Sequence, residues 1–105
     1  MDYVTMWAYL WDLLDEGIER ALRRMRDEAG VNTVSLATSY HSVQHLRPRA
    51  AGNKFFSCHQ GSLYFPPDRS RYTGTPLRPR VSPIVVGGNP LRDVANRCET
   101  LGMRL

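Results

Sequence analysis

Ala29-Gly30-Val31 and Leu101-Gly102-Met103 are one joint written twice: an apolar residue, a glycine, and the first residue of an apolar stretch. Glycine readily takes the left-handed turn that closes a helix, so each joint reads as a helix end running into a strand. Before the first joint, Ile18, Ala21, Leu22, Met25 and Ala29 fall at i, i+3, i+4, i+7 and i+11. That stripe predicts a helix over 15–29, opened by Asp12 or Asp15. Before the second joint, Asn89 is a good N-cap, Pro90 suits the first helical position, and Leu91, Val94, Ala95, Cys98 and Leu101 repeat the stripe. Val31–Thr38 then reads as a strand, and so does Tyr3–Tyr9. The near-continuous apolar character of the latter suits a sheet covered on both faces. Leu10–Leu14 is left as the turn between strand and helix. A strand, a helix, a glycine and a strand within 38 residues make a βαβ unit: parallel neighbouring strands, with helices 15–29 and 90–101 on the same side.

The fold class expected from this grammar is α/β, an incomplete (β/α)8 TIM-barrel fragment: strand, helix, strand, long loop, helix, and the start of a third strand at Met103-Arg104-Leu105. Three parts follow: a βαβ unit at 1–38, a basic Pro-rich excursion at 39–88, and a helix with the strand start at 89–105. A boundary inside a core strand is unusual, because boundaries favour exposed linkers, so the chain reads as the front of a longer one. Within the excursion, Phe55–Cys58 and Ser62–Phe65 flank His59-Gln60-Gly61, and a hairpin with glycine in its turn is expected there. With a barrel left incomplete, the apolar faces of Met6, Ala8, Val34 and Leu36 would lie partly open beside strand edges that invite self-association.

Composition sets the outer limits. The chain has 105 residues, 42% hydrophobic and 23% charged, an ordinary globular mixture. No apolar run approaches the roughly 18 residues of a membrane span, and Met1-Asp2-Tyr3 lacks the basic start of a secretory signal. Two cysteines, Cys58 and Cys98, make no disulfide framework, which points to a reduced, cytoplasmic setting. The net charge of +4 is unevenly spread: residues 1–30 sum to −3, residues 47–80 to +6. All seven prolines fall between Pro48 and Pro90. The first strand-to-helix turn carries neither G-x-G-x-x-G nor a P-loop, so nucleotide binding of those kinds is disfavoured.

Met6–Gly17 (Met-Trp-Ala-Tyr-Leu-Trp-Asp-Leu-Leu-Asp-Glu-Gly) and Glu28–His41, ending in Ser39-Tyr40-His41, resemble the opening of bacterial glycoside-hydrolase-like TIM-barrel proteins. The resemblance implies a larger barrel acting on carbohydrate. Glycoside hydrolysis needs two carboxyl groups flanking the bond. Asp12 and Asp68 are the acids on the expected active face, and the catalytic acids of such barrels sit on later strands, so no catalytic residue is assigned and no turnover is expected. Candidate substrate-binding residues are Trp11 and Asp12 after the first strand and Tyr40 and His41 after the second, where parallel α/β proteins place their sites. No cofactor is expected.

Two other readings compete. His41 and His45 with Cys58-His59 lack the paired spacing of structural zinc, so no metal is assigned. Arg47, Arg49, Lys54, Arg69, Arg71, Arg78 and Arg80, interleaved with Phe55, Phe56, Tyr64, Phe65 and Tyr72, have the composition of a surface for nucleic acid or another polyanion. A small independent basic domain is the alternative that this pattern supports.

Overall fold

A computed structural model describes residues 2–105. Strands β1 (Thr5–Tyr9) and β2 (Thr33–Ala37) pair in parallel, with Met6 beside Val34 and Ala8 beside Leu36. That is the pairing the glycine joint predicts. The crossover holds two helices, α1 (Leu10–Glu16) and α2 (Ile18–Ala29), where the sequence suggested a turn and one helix. Leu10, Trp11 and Leu13 are all buried, so the apolar run that looked like strand and turn is spent on a helical turn facing the core. Apolar continuity alone does not separate the two. Gly17, at φ +95°, breaks the chain between the helices.

Helix α2 ends as its sequence dictates. Gly30 sits at φ +67°, its N–H donates to the Arg26 carbonyl at 3.2 Å, and Val31 N–H reaches the Met25 carbonyl at 3.0 Å. Helix α3 (Pro90–Thr100) begins with the Asn89 side chain accepting from Arg92 N–H at 3.1 Å. It packs on α2, where Arg97 pairs with Glu19 at 3.3 Å and Arg26 donates to the Leu101 carbonyl at 3.1 Å. Leu22, Val34, Val94 and Cys98 are fully buried in one core with Ala8, Leu101 and Met103. Beyond α3 the third strand amounts to a single parallel bridge between Arg104 and Thr33.

The excursion is where the barrel reading fails. Strands β3 (Ser39–Tyr40), β4 (Val43–Leu46), β5 (Phe55–Cys58) and β6 (Ser62–Leu63) form antiparallel pairs, β3 with β6 and β4 with β5. Together they are one long hairpin growing from the end of β2, closed at its tip where Arg47 N–H donates to the Lys54 carbonyl at 2.6 Å. Between the pairs Tyr40–Ser62 and Val43–Cys58, three residues (His59, Gln60, Gly61) stand opposite two (His41, Ser42). His59–Gly61 is therefore a bulge inside the ladder, not the expected turn between 55–58 and 62–65. Phe56 and Tyr64 of this hairpin, and Val85 after it, belong to the same core as Leu22 and Val94. A loop merely inserted into a barrel would not share its core. The incomplete TIM-barrel fragment is thus replaced by a mixed architecture: one parallel pair, two antiparallel pairs and three helices.

A second correction concerns β1. One face of its sheet is open at Thr5 and Trp7, though Thr33 and Ala37 on that face are buried. Met6 lines one hollow with Ala21, Met25 and Ala29 of α2, and the strand period of two sends Thr5 and Trp7 to the opposite face. Ala8 and Val34, expected to lie partly open, are buried, while Trp7 is 67% exposed. Among the described residues no helix is long and apolar enough to cross a membrane.

Leu22→Ala should lower unfolding free energy by about 2–5 kcal/mol, since it empties a site with no solvent contact. Trp7→Ala should change it by less than about 0.5 kcal/mol, as expected of an exposed side chain. Urea denaturation of both variants checks the pair; equal losses would contradict a sheet with one open face.

Candidate functional site

The open face of the β1–β2 pair carries polar and aromatic groups together. Trp7 stands beside Ser35 in the parallel register, and the Thr5 and Ser35 hydroxyls meet at 2.9 Å. One alternation further, the Tyr9 and Tyr40 hydroxyls meet at 3.0 Å with their rings edge to face. The Tyr40 hydroxyl bond, with burial adding to it, pushes the Tyr9 phenol above its ordinary value. His41 stacks on Tyr40 at 4.2 Å between ring centres, and its Nδ1 lies 2.6 Å from the Ser42 carbonyl. A carbonyl can only accept, so Nδ1 carries the hydrogen and Nε2 is left for another partner. The result is a strip running from Trp7 through Tyr9 and Tyr40 to His41.

Two of the four residues singled out in the sequence meet here. Tyr40 and His41 line a depression of about 470 Å³ with Ser39, Ser62, Pro79 and Arg80. Trp11 and Asp12 go elsewhere. Trp11 is 1% exposed, stacked against Tyr9 (4.5 Å) and Phe56 (4.1 Å), with no ring face free for a ligand. Asp12, in the first turn of α1, is half-buried among Asp15, His45 and Arg47. Burial, then the Asp15 charge, push its carboxyl above the ordinary value, against the pull of His45 and Arg47. Arg47 grips Asp15 with two hydrogen bonds, at 2.9 and 2.5 Å, tying the base of the hairpin tip to α1. The residue that sequence reasoning assigned to packing and not to the site is Trp7, which is exposed. Strict alternation of Thr5, Trp7 and Tyr9 against Met6 and Ala8 was the available signal.

A second depression, of about 520 Å³, adjoins the first through Ser62 and Arg80 and is also lined by Cys58 and His59. The Cys58 sulfur lies 2.8 Å from the Gln60 carbonyl and 3.4 Å from the Ser62 hydroxyl. Burial pushes the Cys58 thiol up, but the Ser62 and Tyr64 hydroxyls, the Gln60 backbone and Arg80 outweigh it and hold the thiol below its ordinary value. Burial alone raises Cys98. Among the described residues, no three His, Cys, Asp or Glu side chains are grouped to hold a metal ion. Of the basic residues of the excursion, Arg47 is paired with Asp15 and Arg71 with Asp68, Arg78 donates to the Thr75 and Leu77 carbonyls, and Lys54 donates to the Ala50 carbonyl. Much of that charge is thus engaged within the chain.

Two measurements follow from these environments. Iodoacetamide followed by peptide mass mapping should label Cys58 well before Cys98 in the folded protein, with the order lost in denaturant; simultaneous labelling would contradict the burial of Cys98. Asp12 binds its proton more tightly folded than unfolded. Its penalty is therefore absent at pH below the unfolded carboxyl's range and fully present above the folded one. Asp12→Asn should accordingly gain stability relative to wild type as pH rises from 3 to 7, as followed by thermal melts; a parallel pair of profiles would refute the burial-driven shift.

No protein-family model matches this chain, and no curated protein or solved structure is similar to it, so what the surface does is read from its own geometry.

Proposed function

We propose that the chain binds carbohydrate on the open face of its parallel strand pair. A sugar ring offers an apolar C–H face bordered by hydroxyls. A match for it needs a flat, rigid apolar surface within reach of groups that both donate and accept hydrogen bonds. Trp7 supplies the surface: an indole has few rotors to fix and a large area to cover. Thr5, Ser35, Tyr9 and Tyr40 supply hydroxyls of both senses, and the free Nε2 of His41 extends the row. The observation that carries the reading is the 67% exposure of Trp7 beside two hydroxyl pairs. A lone exposed aromatic would be unremarkable in a protein surface; one bordered by four hydroxyls, three of them from its own sheet, fits a saccharide.

The reading is one of binding, without bond cleavage by this chain. A glycosidase centre places two carboxyl groups about 5–10 Å apart across the scissile bond. Asp12 and Asp15 lie instead among His45 and Arg47, with Asp15 clamped by Arg47. Of the four residues named from the sequence, Tyr40 and His41 remain in the proposed site, and Trp7 joins them.

Affinity electrophoresis in gels containing soluble polysaccharides, followed by calorimetric titration with hexasaccharides, tests the proposal. Wild type should bind, and Trp7→Ala should weaken binding at least tenfold, or about 1.4 kcal/mol, with Trp7→Phe intermediate. Unchanged affinity in a folded Trp7→Ala variant would refute the proposal.

A further inference from the structure

The strip changes character where it ends. Beyond Tyr40 and His41 lie the two adjoining depressions at the bulge, and neither is lined by an Asp or a Glu. Between them they hold His41, His59 and Arg80. Arg80 is placed there by backbone pairing. Its carbonyl accepts from Leu63 N–H at 2.8 Å, Ser82 N–H donates to the Leu63 carbonyl at 2.9 Å, and Val81 bridges Leu63 in parallel. Residues 80–82 thus run along β6 as an added edge, and Arg80 forms part of the wall shared by both depressions.

Arg80 shares with Arg49 and Arg69 the lack of a carboxylate partner among the described residues, and what sets it apart is its place in a hollow. Arg47 and Arg71 are neutralised by Asp15 and Asp68, whereas the Arg80 side chain is exposed and makes no hydrogen bond or ion pair among the described residues. An exposed arginine in hollows lined by two histidines and no carboxylate sets up a positive field over a concave surface. The Arg80 charge also favours the ionised form of Cys58, which lines the second depression. The planar fork of a guanidinium matches a carboxylate or a sulfate in two parallel hydrogen bonds.

Resting on the carbohydrate reading, we infer that the ligand is an acidic saccharide, whose carboxylate or sulfate is taken by Arg80 at the bulge while neighbouring sugar units lie along the strip from Trp7 to Tyr40. The bulge accounts for the geometry. By setting three residues against two, it opens the ladder beside Tyr40, and the anionic subsite falls at that opening, next to the end of the aromatic strip.

Calorimetric titration of the whole chain at about 50 mM salt, a concentration at which exposed charges are only partly screened, decides the matter. The probes are cellohexaose as the neutral oligomer, hexagalacturonate and a heparin hexasaccharide as acidic ones, and polyglutamate as an anion without sugar. We expect one or both acidic saccharides to bind at least tenfold more tightly than cellohexaose, and the tighter of the two to identify the anion as carboxylate or sulfate. Arg80→Gln should abolish that preference while preserving the affinity for cellohexaose, Arg80→Lys should retain part of it, and Trp7→Ala should weaken all three saccharides. Equal affinity for neutral and acidic oligomers, or a preference that survives Arg80→Gln, overturns this inference and leaves carbohydrate binding standing. Polyglutamate binding as tightly as the acidic saccharides, and indifferent to Trp7→Ala, overturns it in favour of a charge-only surface. Failure of every saccharide overturns both readings.

Discussion

The stack Tyr9–Trp11–Phe56 joins the two halves of the molecule. Trp11 sits in the first turn of α1, Phe56 in the hairpin, and their rings lie 4.1 Å apart and within 9° of parallel; Tyr9, from the end of β1, lies against the same indole at 4.5 Å. Burying an indole removes about 150–250 Å² from water, worth about 4–6 kcal/mol at the usual coefficient. The Trp11 N–H finds no partner among the described residues in return, an omission that costs about 1–3 kcal/mol. The balance still favours burial. It explains why the hairpin is part of the core and not an appendage: without Phe56 the largest apolar side chain of α1 would face water.

That stack fixes much else by geometry. With Phe56 held on Trp11, its register partner His45 comes to rest against Tyr9 and Trp11, and Arg47, two residues on, reaches Asp15. The Asp15–Arg47 pair is largely shielded, and a pair of this kind contributes less to net stability than to uniqueness of arrangement, because desolvation offsets most of the attraction. Here it selects where the hairpin tip may dock. Since β4 and β5 are fixed at that end and β3 and β6 are fixed at the end of β2, the mismatch between the two registers has to be absorbed between them. The bulge at His59–Gly61 is where it falls, and this places Arg80 and His41 around the same hollow.

The parts legible in the sequence are those whose causes are local. The stripe Ile18, Ala21, Leu22 and Met25, the left-handed Gly30, and the Asn89-Pro90 start each announce an element by chemistry within one or two turns, and the parallel pairing follows from the length of the crossover. The placement of Tyr40 and His41 at the end of β2 was legible for a topological reason: they follow a strand whose neighbour is parallel. What the sequence concealed depends on contacts between distant segments. Gly61 looks the same whether it serves a turn or a bulge, and only the demand of Phe56 for Trp11 decides between them. Leu10–Leu14 looks the same as strand end or helix start until Leu10, Trp11 and Leu13 are seen to need one buried face. Trp7 was misread because a run of large apolar residues was taken as covered on both sides, when its alternation with Thr5 already marked a sheet with one wet face.

That wet face is stable in its own right. If it were built to be buried, its hydroxyls would each need a partner inside an apolar interface. Thr5 and Ser35 share one hydrogen bond, as do Tyr9 and Tyr40, so each hydroxyl has one partner whether or not anything covers it. Every hydroxyl nevertheless retains lone pairs beyond those used, because the group combines one donor with two acceptor sites. The face can therefore stay hydrated when free and still offer hydrogen bonds to an incoming polyol, which would replace water at little cost in unmade bonds. Trp7 breaks this neutrality: its indole is poorly served by water and gains from any flat apolar cover. On the proposed reading, a surface neutral in its polar groups and biased in one aromatic ring would discriminate by shape more than by charge, with Arg80, at the far end of the strip, supplying the charge.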